Sequence, residues 1–456
     1  MDYQGKKVLV VGAGVSGVAA GRFLRKKGAK VTLTDAANLP DNQELWSQLR
    51  REGLELSLGV YPEVTKGSYD LVLLSPGAPL TVAPSEAAKA AGIPVTGELE
   101  LAYQYSRGPI VAITGTNGKT TTTALIGAIF QKDNRRVLVG GNIGLPLISA
   151  VEDYGSQDVI VAEVSSFQLE TAADFRPKVS IILNITEDHL DRHGTMQHYQ
   201  MAKAKIFAKQ QKNDFTVLNQ DDPLIAPLGK DTAGQAIFFS RKEILGRGVF
   251  VENGEITVQI NDVAERILPV TELGIPGSHN LENALAAVAA AKVMGVSNQV
   301  LAAALREFPG VPHRLEFVAE VNGVRYINDS KGTNPDASIK ALEAYEDPIV
   351  LIAGGRNKGS DFGELAAKVQ ERARALVALG ECADEVIAAA QGIGFADIRR
   401  AADLPEAVAI AAQAAQPGDV VLLSPACASW DMFRNFEERG DLFKKLVLSL
   451  NKEPQG

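Results

Sequence analysis

Cysteine is almost missing from this chain: 456 residues include two, Cys382 and Cys427. That excludes a disulfide framework and suits a reducing compartment. Long apolar runs are missing too. No stretch approaches the roughly twenty residues of a membrane-spanning helix, and the run that starts at Val8 breaks at Gly12, too short for the core of a secretory leader. A cytoplasmic protein is expected. Basic charge is in deficit, with 46 Lys and Arg against 55 Asp and Glu. A nucleic-acid partner calls for a basic surface, so none is expected, whereas small anionic ligands need only local groups. Histidines number five. Two of them, His189 and His193, share one segment, but without a His-Glu-x-x-His pattern a zinc protease is excluded. Low-complexity tracts and short repeats are also lacking. What remains is an ordinary globular composition, 46% hydrophobic and 22% charged, at a length that suggests about three domains.

The stretch that organises the chain lies at 110–130. The β-branched run Ile110 to Thr114 enters Gly115-Thr116-Asn117-Gly118-Lys119-Thr120-Thr121, and an apolar-periodic segment follows from Ala124 to Phe130. Strand, glycine loop and helix make a phosphate cradle, because loop amides and the positive helix end both face an anion. Lys119 is placed to reach the β- and γ-phosphates of a nucleotide, and the Thr120 hydroxyl to ligate Mg²⁺. The usual first glycine of this pattern is replaced by Ile113.

Earlier in the chain a buried-strand pattern, Lys7 to Val11, runs into Gly12-Ala13-Gly14-Val15-Ser16-Gly17, and a second strand ends at Asp35. By itself this fingerprint predicts NAD binding and an oxidoreductase. The glycines, however, secure close approach to any diphosphate, including that of a UDP-linked ligand. Ser75-Pro76-Gly77 closes a further strand. Turn signals at Arg107-Gly108-Pro109 and at Pro309-Gly310-Val311-Pro312 divide the chain. The expected fold is α/β in three domains. Residues 1–106 form a Rossmann-like unit. Residues 107–309 form a P-loop ATPase-like, mostly parallel sheet, with an antiparallel ribbon turning at Asn253-Gly254. Residues 310–456 form a second Rossmann-like unit. Polar clusters close the strands: Gly141-Asn142, Glu163-Val164-Ser165-Ser166, Asn184 to His189, Asn328 to Thr333, Gly354 to Lys358, and Ser424 to Ser429. Glu163, one strand from the phosphate loop, can complete a Mg²⁺ site with Thr120. Lys331 and Lys358 can neutralise phosphate or grip a carboxylate. Cys427 reads as a buried thiol without a catalytic partner, and Trp430 and Phe433, at helical spacing, as packing residues.

These motifs resemble the Mur ligases of bacterial peptidoglycan synthesis over nearly the whole length. The shortened loop Gly115–Thr121 belongs to that pattern. So do Glu163 to Gln168, Asn184 to Asp191, His279-Asn280 with Asn283, Pro312-His313-Arg314 and Asn328 to Lys331. Folylpolyglutamate synthetases share several of these. Ser424 to Asp431 with Phe436 and Glu438-Arg439-Gly440 resemble the branch that adds D-glutamate. The resemblance implies a monomeric, cytoplasmic enzyme that joins D-glutamate to UDP-N-acetylmuramoyl-L-alanine through an acyl phosphate, using ATP and two Mg²⁺. It implies Lys119, Glu163, His189 and Lys203 as catalytic, with Lys203 carried as a carbamate. Thr120 and Glu163 would hold one ion, and His189 and the carbamate a second. Gly115, Thr116, Asn117, Gly118, Lys119, Thr120, Thr121, Asn280, Asn283, Arg314, Asp329 and Lys331 would surround ATP. Val15, Ser16, Gly17, Asp35, Gly77, Asn142, Ser165 and His189 would meet the UDP-substrate. Thr333, Lys358, Ser429 and Phe436 would hold D-glutamate. Ala36-Ala37 departs from members that carry a hydroxyl and an arginine there.

Overall fold

A computed structural model describes residues 2–39, 42–261, 263–275 and 277–450. It contains three sheets. The first is parallel, in the order β3-β2-β1-β4-β5, with β1 Lys7–Val11, β2 Lys30–Asp35, β3 Glu55–Leu58, β4 Leu71–Leu74 and β5 Val95–Gly97. Val8, Leu9, Val10 and Val11 are all buried, because helices cover both faces of a parallel sheet and leave no polar side for alternation. Strand order reverses between β1 and β4, where open sheets of this kind gather ligands. There the chain turns at Gly12 with φ +100°. Gly17 has no room for a side chain, since a Cβ would stand 1.8 Å from the Gly12 carbonyl oxygen.

The second sheet has nine strands in the order β14-β13-β12-β11-β10-β9-β6-β8-β7. These are β6 Ile110–Thr114, β7 Val137–Gly141, β8 Val159–Glu163, β9 Val179–Ile182, β10 Phe215–Asn219, β11 Gln235–Ser240, β12 Gly248–Glu252, β13 Glu255–Gln259 and β14 Glu265–Pro269. Pairing is parallel from β7 across to β12 and antiparallel in β12-β13-β14. The expected ribbon is therefore present. It turns at Asn253 (φ +51°) and Gly254 (φ +77°), two left-handed residues whose twist suits a two-residue hairpin.

The third sheet runs β15-β16-β20-β17-β18-β19, with β15 Glu316–Val321, β16 Val324–Asn328, β17 Ile349–Gly354, β18 Ala373–Leu379, β19 Ile398–Arg400 and β20 Val420–Leu423. Only the β15 edge is antiparallel. Strand β18 has the sequence Ala-Arg-Ala-Leu-Val-Ala-Leu. Its alanines favour helix, but Ala375 to Leu379 are buried between layers, and that burial decides.

The chain forms two compact units. Met1–Glu272 with Glu282–Arg306 carries the first two sheets, and Leu273–Leu281 with Glu307–Gly456 carries the third. Within the first unit the helix Glu98–Tyr105 ties its two sheets together. Glu98 Oε1 accepts the Ile148 amide at 2.9 Å, and Glu100 Oε2 accepts those of Asp174 and Phe175 at 3.0 Å.

Candidate active site

The phosphate loop leaves β6 and opens the helix Lys119–Lys132. Gly118 has φ +80°, and a Cβ there would stand 2.2 Å from Asn283 Oδ1, so only glycine fits. The loop is braced from β9's end: Asn117 N donates to Asn184 Oδ1 at 2.8 Å, Asn184 Nδ2 to the Asn117 carbonyl at 3.1 Å, and Thr186 N to Thr116 Oγ1 at 3.1 Å. Lys119 Nζ donates to the carbonyls of Gly115 (2.9 Å) and Thr116 (2.7 Å). Thr120 Oγ1 donates to Glu163 Oε2 at 2.8 Å, and Asn142 Nδ2 to Glu163 Oε1 at 2.9 Å. Glu163 ends β8, in register with Ile113 of β6. Adjacent strand ends thus set a buried hydroxyl against a buried carboxylate at the mouth of the loop.

Lys203, on the helix Met196–Ala204, is 2% exposed. Its Nζ donates to the Gly115 carbonyl at 2.8 Å and lies 4.4 Å from the Tyr199 ring centroid. Burial, then the nearby Lys119 charge, hold its pKa well below the ordinary lysine value, while Asp188 and Glu163 pull the other way. His189 and His193 part company. His189 (φ +55°) stands 3.5 Å from the Asp188 carboxylate and edge-on to Phe167 at 4.9 Å. His193 bonds Ser166 Oγ at 3.0 Å through Nε2, and burial lowers its pKa. Among the described residues no three His, Cys, Asp or Glu side chains converge as metal ligands. Thr120 and Glu163 are nonetheless suited to Mg²⁺, which takes one or two protein oxygens and completes its shell with phosphate and water.

A cleft of about 480 Å³ at the ends of β1, β2 and β4 is lined by Val15, Ser16, Asp35, Gly77, Asn142 and neighbours. Asp35 is engaged from within: Oδ2 accepts the Ala13 amide and Oδ1 that of Ala37, both at 2.9 Å. Gly17 packs behind the turn, and Ser165 caps the helix Ser166–Glu170, accepting the Gln168 amide at 3.2 Å.

In the second unit Asp329 is buried at the end of β16. Its Oδ2 accepts Ser424 Oγ at 2.7 Å, and burial raises its pKa to about 6. Arg314 Nε is buried with no hydrogen-bond partner among the described residues. Asn280 is buried in this unit, whereas Asn283 belongs to the first, where its Oδ1 accepts Thr122 Oγ1 at 3.2 Å. Lys331 Nζ lies 5.3 Å from the Phe436 ring. Thr333, Lys358 and Ser429 follow the ends of β16, β17 and β20, and a bridge between Arg356 and Ala428 joins the latter two loops. Cys382 Sγ stands 3.0 Å from Cys427 Sγ, both free and buried. Trp430 corrects the sequence reading: it is 62% exposed, in a turn rather than a helix, and only Phe433 packs.

The comparisons decide the kinship. Residues 6–97 match the Mur ligase MurD-like N-terminal domain, 113–291 the Mur ligase middle domain, and 313–427 the Mur ligase glutamate ligase domain. The chain belongs to the Mur ligase family. A UDP-N-acetylmuramoylalanine–D-glutamate ligase of Pelotomaculum thermopropionicum is 62% identical over 99% of both chains. One of Alkaliphilus metalliredigens is 50% identical over 99% of this chain and all of its own. Among solved Mur ligases, the UDP-N-acetylmuramate–alanine ligase MurC of Thermotoga maritima superposes with TM-score 0.61 at 21% identity, covering 97% of this chain and 99% of that one. The Thermotoga maritima MurF ligase in complex with ADP gives 0.61 at 19%, covering 92% and 95%. At those identities they establish the shared fold.

Sequence reasoning on this Mur ligase missed partners more than principals. In the sequence Asn184 stands out only as part of a motif, although its amide repeats a backbone's donor and acceptor and so clamps Asn117. Tyr199 had no signal at all, since an aromatic on a short helix reads as core.

Proposed function

We propose that this Mur ligase joins D-glutamate to UDP-N-acetylmuramoyl-L-alanine at the expense of ATP. A carboxylate resists amines because its charge repels them and oxide is a poor leaving group. Transfer of the γ-phosphoryl to the alanine carboxylate removes both obstacles; the D-glutamate amine then attacks the carbonyl carbon and phosphate departs, leaving an amide. Lys119 stabilises the transferring phosphoryl from the loop that holds ATP. Thr120 and Glu163 would hold Mg²⁺, with His189 and Lys203, as its carbamate, at a second ion; the charge so supplied offsets that of the phosphates. CO₂ reacts with the unprotonated amine of a lysine, and the burial of Lys203 shifts it toward that form. Residues 1–106 take the UDP end in the cleft by Val15, Ser16 and Asp35, residues 107–309 take ATP, and residues 310–456 take D-glutamate through Thr333, Lys358, Ser429 and Phe436. The enzyme acts as a cytoplasmic monomer.

The observation that carries this reading is the Thr120–Glu163 pair at the head of a lysine-bearing phosphate loop, in a chain whose close relatives bear the D-glutamate ligase name along their whole length. The test is ADP release by purified protein with Mg²⁺, ATP and UDP-N-acetylmuramoyl-L-alanine, run against a panel of amino acids. Release only with D-glutamate is expected. Release with L-glutamate and a folate acceptor instead, or a change in NADH absorbance, would replace the reading.

A further inference from the structure

One side chain that the proposed chemistry leaves unused holds the ligand end of the second unit's sheet. Arg439 lies in the first turn of the helix Phe436–Leu450 and is 2% exposed. Its guanidinium spans two loops. Nε donates to Ser330 Oγ at 3.0 Å, and Nη2 to the carbonyls of Ser330 at 2.9 Å and Cys427 at 3.2 Å. Ser330 follows β16 and Cys427 follows β20. Ser330 Oγ donates onward to the Phe436 carbonyl at 2.8 Å. Nη1 is buried, with no hydrogen-bond partner among the described residues, and faces the third loop: a Cβ on Gly355 would stand 3.3 Å from it. The same helix packs closely on His313, since a Cβ on Gly440 would stand 2.2 Å from His313 Nδ1. Burial lowers the Arg439 pKa to about 10, with Asp431, Cys427 and Asp329 opposing, so the group is charged at neutral pH.

Every position expected to hold the incoming amino acid is carried by one of these parts. Thr333 follows Ser330 by three residues, Lys358 follows Gly355 by three, Ser429 follows Cys427 by two, and Phe436 precedes Arg439 by three. We infer that Arg439 is the positioning residue of the amino-acid subsite: it fastens the loops after β16 and β20 to the helix that bears Phe436 and so sets the spacing of the groups that grip the amino acid. The inference rests on the D-glutamate reading above. A planar fork of donors serves three acceptors at once, which the point charge of a lysine does not. Without it, two buried carbonyls would lose their donor and the loops would relax to find another.

In the full-length enzyme, Arg439→Lys is expected to raise the KM for D-glutamate about tenfold while the KM for UDP-N-acetylmuramoyl-L-alanine stays within about twofold. Arg439→Ala should raise the same KM further, and millimolar guanidinium, refilling the space, should lower it again. Should Arg439→Ala fail to fold, Ser330→Ala, which removes one acceptor, carries the test with an expected rise of about threefold. Loss of active enzyme with both KM values unchanged, or no response to guanidinium by a folded Arg439→Ala, overturns the inference. Wild-type protein that fails to ligate D-glutamate overturns the underlying reading instead.

Discussion

Lys119 rests its ammonium on two neutral carbonyls of its own loop. A phosphoryl group in the cradle offers charged acceptors, and charge-assisted bonds are roughly twice as strong as neutral ones, so the side chain is poised to exchange partners. Lys119→Ala is expected to lower ligation by about a thousandfold or more. Calorimetric binding of the UDP-substrate should stay unchanged, since the cleft by Asp35 draws nothing from Lys119. Lys203 calls for a different experiment. Burial, then the Lys119 charge, lower its pKa and so favour the free amine that reacts with CO₂; CO₂-free buffer should reduce activity and bicarbonate restore it. ¹³C-labelled bicarbonate should give a protein-bound carbamate resonance that Lys203→Arg lacks; no such resonance in active enzyme would count against the carbamate. At this scale the phosphate loop, Glu163 and the glycine turn were legible because each is a local device, a few residues whose spacing is the chemistry. The Lys203 environment was not. Its burial comes from a helix packed beneath the loop, and its partner Gly115 lies 88 positions away.

The helix Glu98–Tyr105 shows how an element acquires a pH response. Glu98 is buried, with Oε2 unpartnered among the described residues, and burial raises its pKa to about 7 against the bonds from the Ile148 and Leu147 amides. The folded chain therefore binds this proton more tightly than the unfolded chain. The stability contribution is intact below about pH 4.5 and is lost as pH climbs through about 7, by at most about 3 kcal/mol. Glu98→Gln keeps an acceptor for Ile148 and cannot ionise. Its Tm should match the wild type near pH 4.5 and exceed it by a few degrees at pH 8, as scanning calorimetry would show; equal Tm values at pH 8 would place the charge elsewhere. Among elements, the strands of β1, β6 and β17 were legible as continuous β-branched and aliphatic runs. Strand β18 was not, because its alanines prefer helix and only the neighbours on both sides, β17 and β19, hold it extended. Trp430 misled for the converse reason, since a spacing that would suit a helix was set in a turn.

For the whole molecule, the turn at Pro309 looked like the boundary of the last domain, yet Leu273–Leu281 folds with the second unit. There Ile275 is buried, and a Cβ on Gly277 would stand 3.1 Å from Ala344 Cβ. A fragment of residues 310–456 should accordingly melt below the intact chain's second unit and gain stability when a peptide covering 271–283 is added in trans. Identical melting with and without the peptide would restore the simpler boundary.

The sequence by itself determined the class, the three sheets and the glycine turns at their strand ends, because apolar periodicity and turn chemistry are short-range and survive as spelling. Tertiary structure alone decided which groups meet. Ser424 reaches Asp329 across 95 residues and Arg439 reaches Ser330 across 109, since in a parallel sheet the strand ends that share an edge are delivered there by crossovers whose packing no local pattern encodes.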